Sequence, residues 1–326
     1  MDRLDLLKRA LLGEWQVRKT WAQKTAFIAW AQDYARELGV PLTVEESGRL
    51  QRSRNLVFGD AERASTLITA HYDTCAQLPF PNLLTPQCWP LIVLTQGLPA
   101  LLLCALGVVL GAGMGRLMAG SPLSASMLAT IAMTAICAAL VALMLYGPAN
   151  PHTANDNTSG VITALLALDA LRGREDVAVV LFDNEEKGML GSGAFIRRHP
   201  QEAKGAFVVN LDCVSDGRTL LYTGSKAGMR GAPAASVLSS LRACAQEKGY
   251  RVVSGEFPKT LYPSDQMVFA KGTAISALQG EKVLYLGRIH TARDTVFDDE
   301  NVRCIVDALT RGCAREEAQP DLRADA

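Results

Sequence analysis

The sequence lacks an excess of charge of either sign, because its 326 residues include 33 basic and 33 acidic side chains. A nucleic-acid-binding protein normally has a basic surplus, so no nucleic-acid partner is expected. The eight cysteines are scattered without a Cys-x-x-Cys pair, which argues against a disulfide framework and favours a reducing compartment. The N-terminal region also lacks the uninterrupted apolar core of a secretory signal peptide, so no cleaved signal is expected.

Charge is almost absent from one long stretch, since residues 74–155 contain a single charged side chain, that of Arg116. Within this stretch, residues 91–114 and 123–146 have no charged side chain at all. About 20 helical residues cross the hydrocarbon core of a bilayer, so each segment is long enough to span one. The pattern therefore predicts an α-helical transmembrane hairpin inserted at residues 84–147.

Two further features agree with a hairpin in a membrane. Glycines repeat at four-residue spacing, which lets membrane helices approach closely; they are Gly107, Gly111 and Gly115. Trp89 and Tyr146 flank the two spans and would lie at the same interface, where amphipathic aromatic rings are favoured. The glycine face suits packing within the hairpin or an oligomer formed through it. The alternatives are a pair of buried core helices and a hairpin that is re-entrant or lies on the membrane surface.

The insertion divides the rest of the chain. Residues 1–45 are expected to form an amphipathic helical segment, with a helix over 14–38 whose aromatic side chains pack on the core. Residues 46–83 and 148–313 together form an enzyme-sized domain, and 314–326 form a polar tail. The charged N-terminal region favours the cytoplasm, and two spans return the chain to the side where it began. We therefore expect a multi-pass protein of the cell membrane with its catalytic domain in the cytoplasm.

Outside the hairpin, short β-branched runs alternate with helical patterns. Strands are predicted at 67–70, 177–182, 207–211 and 250–253, and helices at 159–171, 236–248 and 301–311. This alternation is typical of an α/β fold with a mixed, largely parallel sheet flanked by helices. Such sheets bind ligands beyond the carboxyl ends of their strands. Three of the predicted strands end beside side chains that bind metals, namely His71, Glu185 with Glu186, and Asp212.

Five short motifs follow one another along the chain. They are HYD at 71–73, NDNTSG at 155–160, DNEEKGMLGS at 183–192, NLD at 210–212 and RIHTARDT at 288–295. Each motif alone is more often structural than catalytic. Together they contribute two imidazoles and several carboxylates, which are ligands that zinc-type ions take. The set, in this order, resembles metallopeptidase family 28, the co-catalytic zinc aminopeptidases and their relatives. The resemblance covers residues 53–73 and 149–312 and skips the hairpin.

The resemblance implies two bound Zn²⁺ ions, or other divalent ions, with five protein ligands. These are His71, Asp156, Glu186, Asp212 and His290. Asp156 would bridge the two ions. His71 and Asp212 would complete one ion site, and Glu186 and His290 the other. The resemblance also implies a cis peptide bond directly after Asp156.

The resemblance assigns roles to neighbouring residues as well. Glu185 would be the general base, which takes a proton from the attacking water and passes it to the departing amine. Asp73 would accept the second N–H of His71 and fix the orientation of that ring. Asp294 would give similar support near His290.

Substrate contacts are less defined by the sequence. Tyr262 is a candidate hydrogen-bond donor to the oxyanion that develops during attack. The segment 264–269 (SDQMVF) resembles a further family motif and contains Asp265, but Gln266 stands where a histidine is usual. This departure leaves the substrate pocket open.

The expected function is that of a membrane-anchored dizinc metallopeptidase, and an aminopeptidase acting on peptide substrates in particular. A non-catalytic receptor or scaffold relative is one alternative, although such relatives lack metal ligands and here every ligand position is filled. A carboxypeptidase, an amidase or a glutaminyl cyclase-like enzyme would use the same metal residues. Because the insertion starts and ends near His71 and Asp156, a further hypothesis is that the hairpin delivers membrane-derived peptides to the site.

Overall fold

Eight strands form one sheet in a computed structural model that describes residues 2–49, 51–117 and 124–314. In chain order they are β1 (Leu42–Ser47), β2 (Ser53–Phe58), β3 (Thr66–His71), β4 (Val177–Phe182), β5 (Phe207–Leu211), β6 (Thr219–Gly224), β7 (Arg251–Glu256) and β8 (Gly272–Leu278). Across the sheet the order is β1-β2-β4-β3-β5-β8-β6-β7. The four central strands are parallel to one another, as are β6 and β7, and the remaining pairings are antiparallel. The predicted mixed, largely parallel sheet is confirmed.

The central strands β4, β3, β5 and β8 are buried along their whole length. Their apolar runs, such as VAVVLF in β4, are typical of parallel strands that are covered on both faces. The edge strands β1 and β7 are partly exposed. Side chains that directly follow the carboxyl ends of the central strands therefore lie in a buried region, where polar groups need hydrogen-bond partners.

The described residues also form eleven α-helices. They are α1 (Arg3–Lys8), α2 (Trp21–Leu38), α3 (Trp89–Ile92), α4 (Leu98–Leu117), α5 (Ala125–Tyr146), α6 (Gly160–Ala170), α7 (Leu190–Arg198), α8 (Glu202–Gly205), α9 (Lys226–Arg230), α10 (Ala232–Glu247) and α11 (Asp299–Ala314). One core joins the sheet to α1, α2, α6, α10 and α11, and a smaller core joins it to α7 and α8. The polar tail predicted at 314–326 lies, after Ala314, outside the described residues.

The N-terminal segment packs in the main core of the domain. The helix predicted over 14–38 begins only after Thr20, whose Oγ accepts a hydrogen bond from the N–H of Gln23 at 3.3 Å. The Gln23 side chain accepts the N–H of Thr20 in return, at 2.8 Å, which completes a capping box. The helix ends before Gly39, which adopts a left-handed φ of 68°. Phe27 of this helix is fully buried, so its aromatic face packs on the core.

Helices α4 and α5 form an antiparallel pair. A Cβ atom on Gly107 would lie 2.8 Å from Cβ of Met133, and one on Gly111 would lie 2.1 Å from Cα of Ala129. These glycines therefore allow the two backbones to approach, as the four-residue spacing predicted.

The limits of the two helices differ from the predicted spans. The chain forms α3 and a short π-helix (Val93–Gly97) before α4, so the first long helix begins later than the predicted span at 91–114. Within the described ranges, the stretch Ser126–Tyr146 of α5 is long and apolar enough to cross a membrane. The apolar stretch of α4, Leu101–Arg116, is shorter. The predicted turn falls partly on residues 118–123, which are not described. Two complete spans are therefore not shown.

The close approach of α4 and α5 can be tested with two glycines of the same helix. Gly111→Leu should lower the free energy of unfolding by about 1–3 kcal/mol, because its side chain meets the α5 backbone and must force the helices apart. Gly113→Leu is the matched control, since nothing lies within 4 Å of a Cβ atom at that position. The measurement is helical circular dichroism during titration of a mild-detergent sample with dodecyl sulfate. Equal midpoints for the two variants would contradict the packing.

Candidate metal centre

Polar side chains that follow three central strands meet at one edge of the sheet. His71 is the last residue of β3, and Asp212 directly follows β5. Glu185 and Glu186 lie in a short 3₁₀ turn shortly after β4. Because parallel neighbouring strands end at the same edge, three distant segments of the chain deliver their side chains to one place.

Two further residues reach this edge from loops. Asp156 lies in the turn just before α6, where its backbone is not helical, and its peptide bond with Asn157 is cis, as the resemblance implied. The Asn157 side chain holds this segment against the sheet, since its Nδ2 donates to the carbonyl of Leu211 at 2.9 Å. His290 lies in the loop between β8 and α11.

The five predicted ligands form two groups that share Asp156. Nε2 of His71 lies 3.4 Å from Oδ1 of Asp156 and 3.7 Å from Oδ1 of Asp212. Nε2 of His290 lies 3.1 Å from Oδ2 of Asp156 and 3.5 Å from Oε2 of Glu186. Asp156 therefore offers one carboxylate oxygen to each group, which is the arrangement expected of a bridging ligand.

Cys75 lies beside the second group and was not expected from the sequence. Its Sγ lies within 4.8 Å of the ligand atoms of Asp156, Glu186 and His290. Nδ2 of Asn150 donates a weak hydrogen bond to the sulfur at 3.8 Å. Burial, with the nearby carboxylates of Glu186 and Asp156, raises the pKa of the thiol well above its usual range. The thiol is therefore protonated unless a cation binds there.

The electrostatics of the centre favour bound cations. Burial, together with the Asp156 carboxylate, raises the pKa of Glu186 to about 7. Burial acts to raise the pKa of Asp156 as well, but hydrogen bonds with His290 and His71 lower it overall. Burial acts to lower the pKa of His290, but Glu186 and Asp156 raise it to about 9. Without metal, protons on the imidazoles balance the acidic groups, and a bound cation would replace those protons.

The donor set fits two divalent ions. Two imidazoles and three carboxylates, arranged in two groups with one shared member, are ligands that zinc-type ions take. Oε1 of Glu186 is buried and has no hydrogen-bond partner in the described part of the chain. A buried carboxylate oxygen without a partner is costly, and a bound cation removes that cost.

The comparison with known families agrees with this geometry. The model of peptidase family M28 matches residues 141–307, just over half of the chain. The chain belongs to peptidase family M28. Membership supports a peptidase-like hydrolase. No curated protein matches the sequence.

Solved structures share the fold at low sequence identity. A glutaminyl cyclase from Porphyromonas gingivalis is similar with a TM-score of 0.59 at 16% identity, over 96% of this chain and 97% of that one. The LapA aminopeptidase of Legionella pneumophila gives 0.57 at 11% identity, over 98% of this chain and 71% of that one. A leucine aminopeptidase precursor from Bacteroides thetaiotaomicron gives 0.56 at 15% identity, over 95% and 94%. At these identities the likeness shows the M28 fold alone.

Asp73 faces His71 in this M28 protein and makes further contacts that were not predicted. Nδ1 of His71 lies 3.1 Å from the backbone oxygen of Asp73 and 3.6 Å from its carboxylate. The Asp73 carboxylate also accepts the N–H groups of Glu185 at 3.0 Å and Glu186 at 3.3 Å. Asp73 therefore holds the turn that presents both glutamates, because the backbone N–H groups of that turn face its carboxylate.

Asp294 supports the Asp156 segment rather than His290. Its carboxylate accepts the N–H of Asn155 at 2.8 Å and the N–H of Asp156 at 3.0 Å. Burial, with the nearby Asp156 carboxylate, raises the pKa of Asp294 to about 8. The two hydrogen bonds fix the backbone of the shared ligand.

Tyr262 and Gln266 are both occupied by hydrogen bonds within the protein. The Tyr262 hydroxyl donates to the carbonyl of Asp212 at 3.1 Å, so in this structure it orients a ligand segment and is not a free donor for an oxyanion. Nε2 of Gln266 donates to the carbonyl of Tyr262 at 2.6 Å, and its Oε1 accepts from Asn210 at 3.2 Å. Gln266 therefore holds the Tyr262 segment in place.

Asp265 is fully buried next to these residues. Its Oδ1 accepts a hydrogen bond from Oγ of Ser192 at 2.5 Å. Its Oδ2 has no partner among the described residues. Burial raises the pKa of Asp265 to about 7.

A buried lysine that the sequence analysis missed lies behind the Glu185–Glu186 turn. Nζ of Lys24, from α2, pairs with the buried Asp183 and donates to Oδ1 of Asn184 at 2.8 Å. Lys24 lies one turn before Phe27 and Ile28 on the buried face of α2. A cation on an otherwise apolar helical face is the signal in the sequence that points to a buried partner.

A buried arginine from the same segment holds the backbone on either side of the ligands. Nε of Arg18 donates to the carbonyl of Tyr72 at 2.6 Å, between the predicted ligand His71 and Asp73. One terminal nitrogen of the guanidinium donates to Oγ1 of Thr158 at 3.1 Å. Burial lowers the pKa of Arg18 to about 10, so it remains charged at neutral pH.

The Lys24–Asp183 pair can be tested with a double-mutant cycle. Lys24→Met should lower the free energy of unfolding by about 3–5 kcal/mol, because it leaves a buried carboxylate without its cation. The double variant Lys24→Met/Asp183→Asn should recover a substantial part of this loss, because it also removes the unpaired charge. The measurement is urea unfolding of each variant. Strictly additive losses would show that the two side chains do not interact.

Proposed function

We propose that this M28 protein is a membrane-anchored metallo-aminopeptidase that hydrolyses N-terminal peptide bonds with two bound zinc ions. The shared carboxylate of Asp156 is the observation that supports this most. It offers one oxygen to the group of His71 and Asp212 and the other to the group of Glu186 and His290. A two-ion centre suits hydrolysis, which must activate a water and stabilise charge on a carbonyl oxygen together.

Glu185 is the residue in this chain that moves the proton. Two bound ions supply Lewis-acid polarisation of the scissile carbonyl and lower the pKa of the attacking water. The Asp73 carboxylate accepts a hydrogen bond from the N–H of Glu185 at 3.0 Å, which fixes the turn. The Glu185 side chain is partly exposed, so a substrate can reach it. Burial raises the pKa of Glu185 well above its usual range, and a raised pKa makes a carboxylate a stronger proton acceptor. Glu185 accepts the proton of the water and delivers it to the departing amine.

Glutaminyl cyclisation is the second candidate, because glutaminyl cyclases are among the solved structures with a similar fold. In that reaction the α-amine of an N-terminal glutamine attacks its own side-chain amide, a new C–N bond forms and ammonia leaves. Glu185 would carry the proton from the amine to the departing ammonia. No water is consumed, so the products distinguish the two reactions.

Membrane anchoring is supported by the uncovered apolar surface of α4 and α5. The apolar window within Ser126–Tyr146 is 6% buried, and Val109 of α4 is 67% exposed. Soluble proteins rarely expose a contiguous apolar surface of this extent, and a bilayer would cover it. Nζ of Lys19 donates to the carbonyl of Leu145 at 3.1 Å, at the end of α5. A cation at this end of the helix favours a catalytic domain on the cytoplasmic side.

Two adjacent glutamates give a matched test of the catalytic assignment. Glu185→Gln should lower kcat roughly 10²–10⁴-fold with unchanged zinc content, since it removes the proton acceptor only. Glu186→Gln should lower zinc content, since it removes a ligand. The measurements are release of the N-terminal residue from a panel of free-amine peptides and elemental analysis of the same samples. Cleavage of N-acetylated peptides only, or pyroglutamate and ammonia from N-terminal glutamine, would replace the aminopeptidase assignment with another reaction.

Metal stoichiometry tests the two-ion centre. The protein should bind two zinc ions per chain, and His290→Ala should bind one tightly, because it removes a ligand from one group only. His199→Ala is the matched control, since that imidazole hydrogen-bonds Glu45 at 2.8 Å and is not part of the cluster. The measurement is native mass spectrometry after dialysis against a weak chelator. Absence of bound metal in the unmodified chain would point to a non-catalytic relative.

A further inference from the structure

The hairpin is connected to the metal centre by two short segments that run side by side. One leads from Asp73 towards α3, and the other leads from α5 to Asp156. Ala76 and Ala149 pair as an antiparallel bridge, and the N–H of Gln77 donates to the carbonyl of Pro148 at 2.9 Å. We call these paired segments, residues 74–88 and 147–153, the stems.

The first stem is hydrogen-bonded to the loop that carries His290. The N–H of Leu78 donates to the carbonyl of His290 at 2.8 Å, and Leu84 forms a bridge with Leu286. Nε1 of Trp89, at the start of α3, donates to the carbonyl of Pro258 at 3.1 Å. The entry to the hairpin is therefore fixed to the same loops that border the metal centre.

The end of α5 lies against the other ligand loop. Nζ of Lys187 lies 5.8 Å from the centroid of the Tyr146 ring, and Lys187 directly follows the predicted ligand Glu186. Tyr146 is the last residue of α5. The Lys187 side chain therefore reaches from the turn that contains Glu186 to the end of α5.

The base of the hairpin has the composition of a membrane interface. Exposed aromatic rings lie at or beside it, namely Phe80, Trp89, Tyr146 and Phe257, each between 44% and 64% exposed. The ammonium groups of Lys19 and Lys187 lie at the end of α5. Amphipathic rings favour the headgroup level, and cations there attract anionic lipids.

We propose that the metal centre opens at the membrane surface, and that its substrates are polypeptides whose free N-terminus is held at that surface by a hydrophobic segment in the same bilayer. This inference rests on the proposed aminopeptidase function and adds the substrate class. Confinement to one surface raises the local concentration of a bilayer-attached substrate, and a site at that surface reaches an N-terminus that projects only slightly from the lipid.

The test uses the full-length zinc-loaded protein in nanodiscs that contain lipid-linked peptides. Each peptide has the same cleavable N-terminal sequence, joined to the lipid through about 3, 10 or 30 prolines, roughly 10, 30 or 90 Å at about 3.1 Å per residue. A soluble peptide of the same N-terminal sequence reports the basal reaction, and Glu185→Gln in identical nanodiscs gives the background. The readout is release of the N-terminal amino acid.

We expect the shortest spacer to be cut at least as fast as the longest, and at least tenfold faster than the soluble peptide at equal bulk concentration. Cleavage that requires the longest spacer would place the centre away from the bilayer and would overturn the inference, while the proposed aminopeptidase function would stand. Equal rates on tethered and soluble peptides would also overturn it. If no peptide is cut, soluble ones included, the proposed function fails and the inference fails with it.

Discussion

The structure depends on a cluster of acidic and imidazole side chains at the buried carboxyl ends of parallel strands. Three central strands end together, so their ligand side chains meet in a buried space where like charges repel. Asp156 is the key member, because one carboxylate serves both groups of the centre. The surrounding contacts hold this arrangement in place. Asp294 fixes the backbone of Asp156, and Asp73 fixes the turn of Glu185 and Glu186.

The hairpin interrupts the chain between two residues of this centre without separating them. His71 and Asp156 are 85 positions apart in the sequence, yet their side chains lie 3.4 Å apart. The cost of closing a loop grows only slowly with its length, so a long insertion is tolerated if its ends are held together. The bridge between Ala76 and Ala149 holds them together here. An insertion at this point also has a geometric consequence, since it leaves the domain at the edge of the sheet where the metal centre lies.

The sequence predicted the parts of the fold that have strong local signals. The apolar runs of β3, β4 and β5 were recognised, and the structure brings the side chains of the five predicted ligands together. Four strands were not recognised: β1 (LTVEES), β2 (SRNLVF), β6 (TLLYTG) and β8 (GTAISAL). Their polar residues and glycines weaken the apolar pattern, and their burial comes from neighbours distant in the sequence.

The contacts around the ligands were harder to predict than the ligands themselves. Asp73 and Asp294 were both recognised as supporting residues, but the partners of their carboxylates are backbone N–H groups of the Glu185 turn and of the Asp156 segment. Residue type and spacing do not indicate where those N–H groups point, because that depends on the loop conformation in the folded chain. Cys75 and Lys24 were missed for a related reason, since each is one polar residue without a motif around it.

Arg18 connects the N-terminal segment, the metal centre and the hairpin. Its guanidinium donates to the carbonyl of Tyr72, just before the first stem, and to Thr158, just after the second. One fully buried side chain therefore ties together the two points where the chain leaves the domain for the hairpin and returns. If the hairpin lies in a bilayer, as we propose, its movement relative to the domain would be transmitted through the stems. The Ala76–Ala149 bridge closes both stems before the chain reaches His71 and Asp156, so movement of the hairpin need not alter the separation of those two side chains.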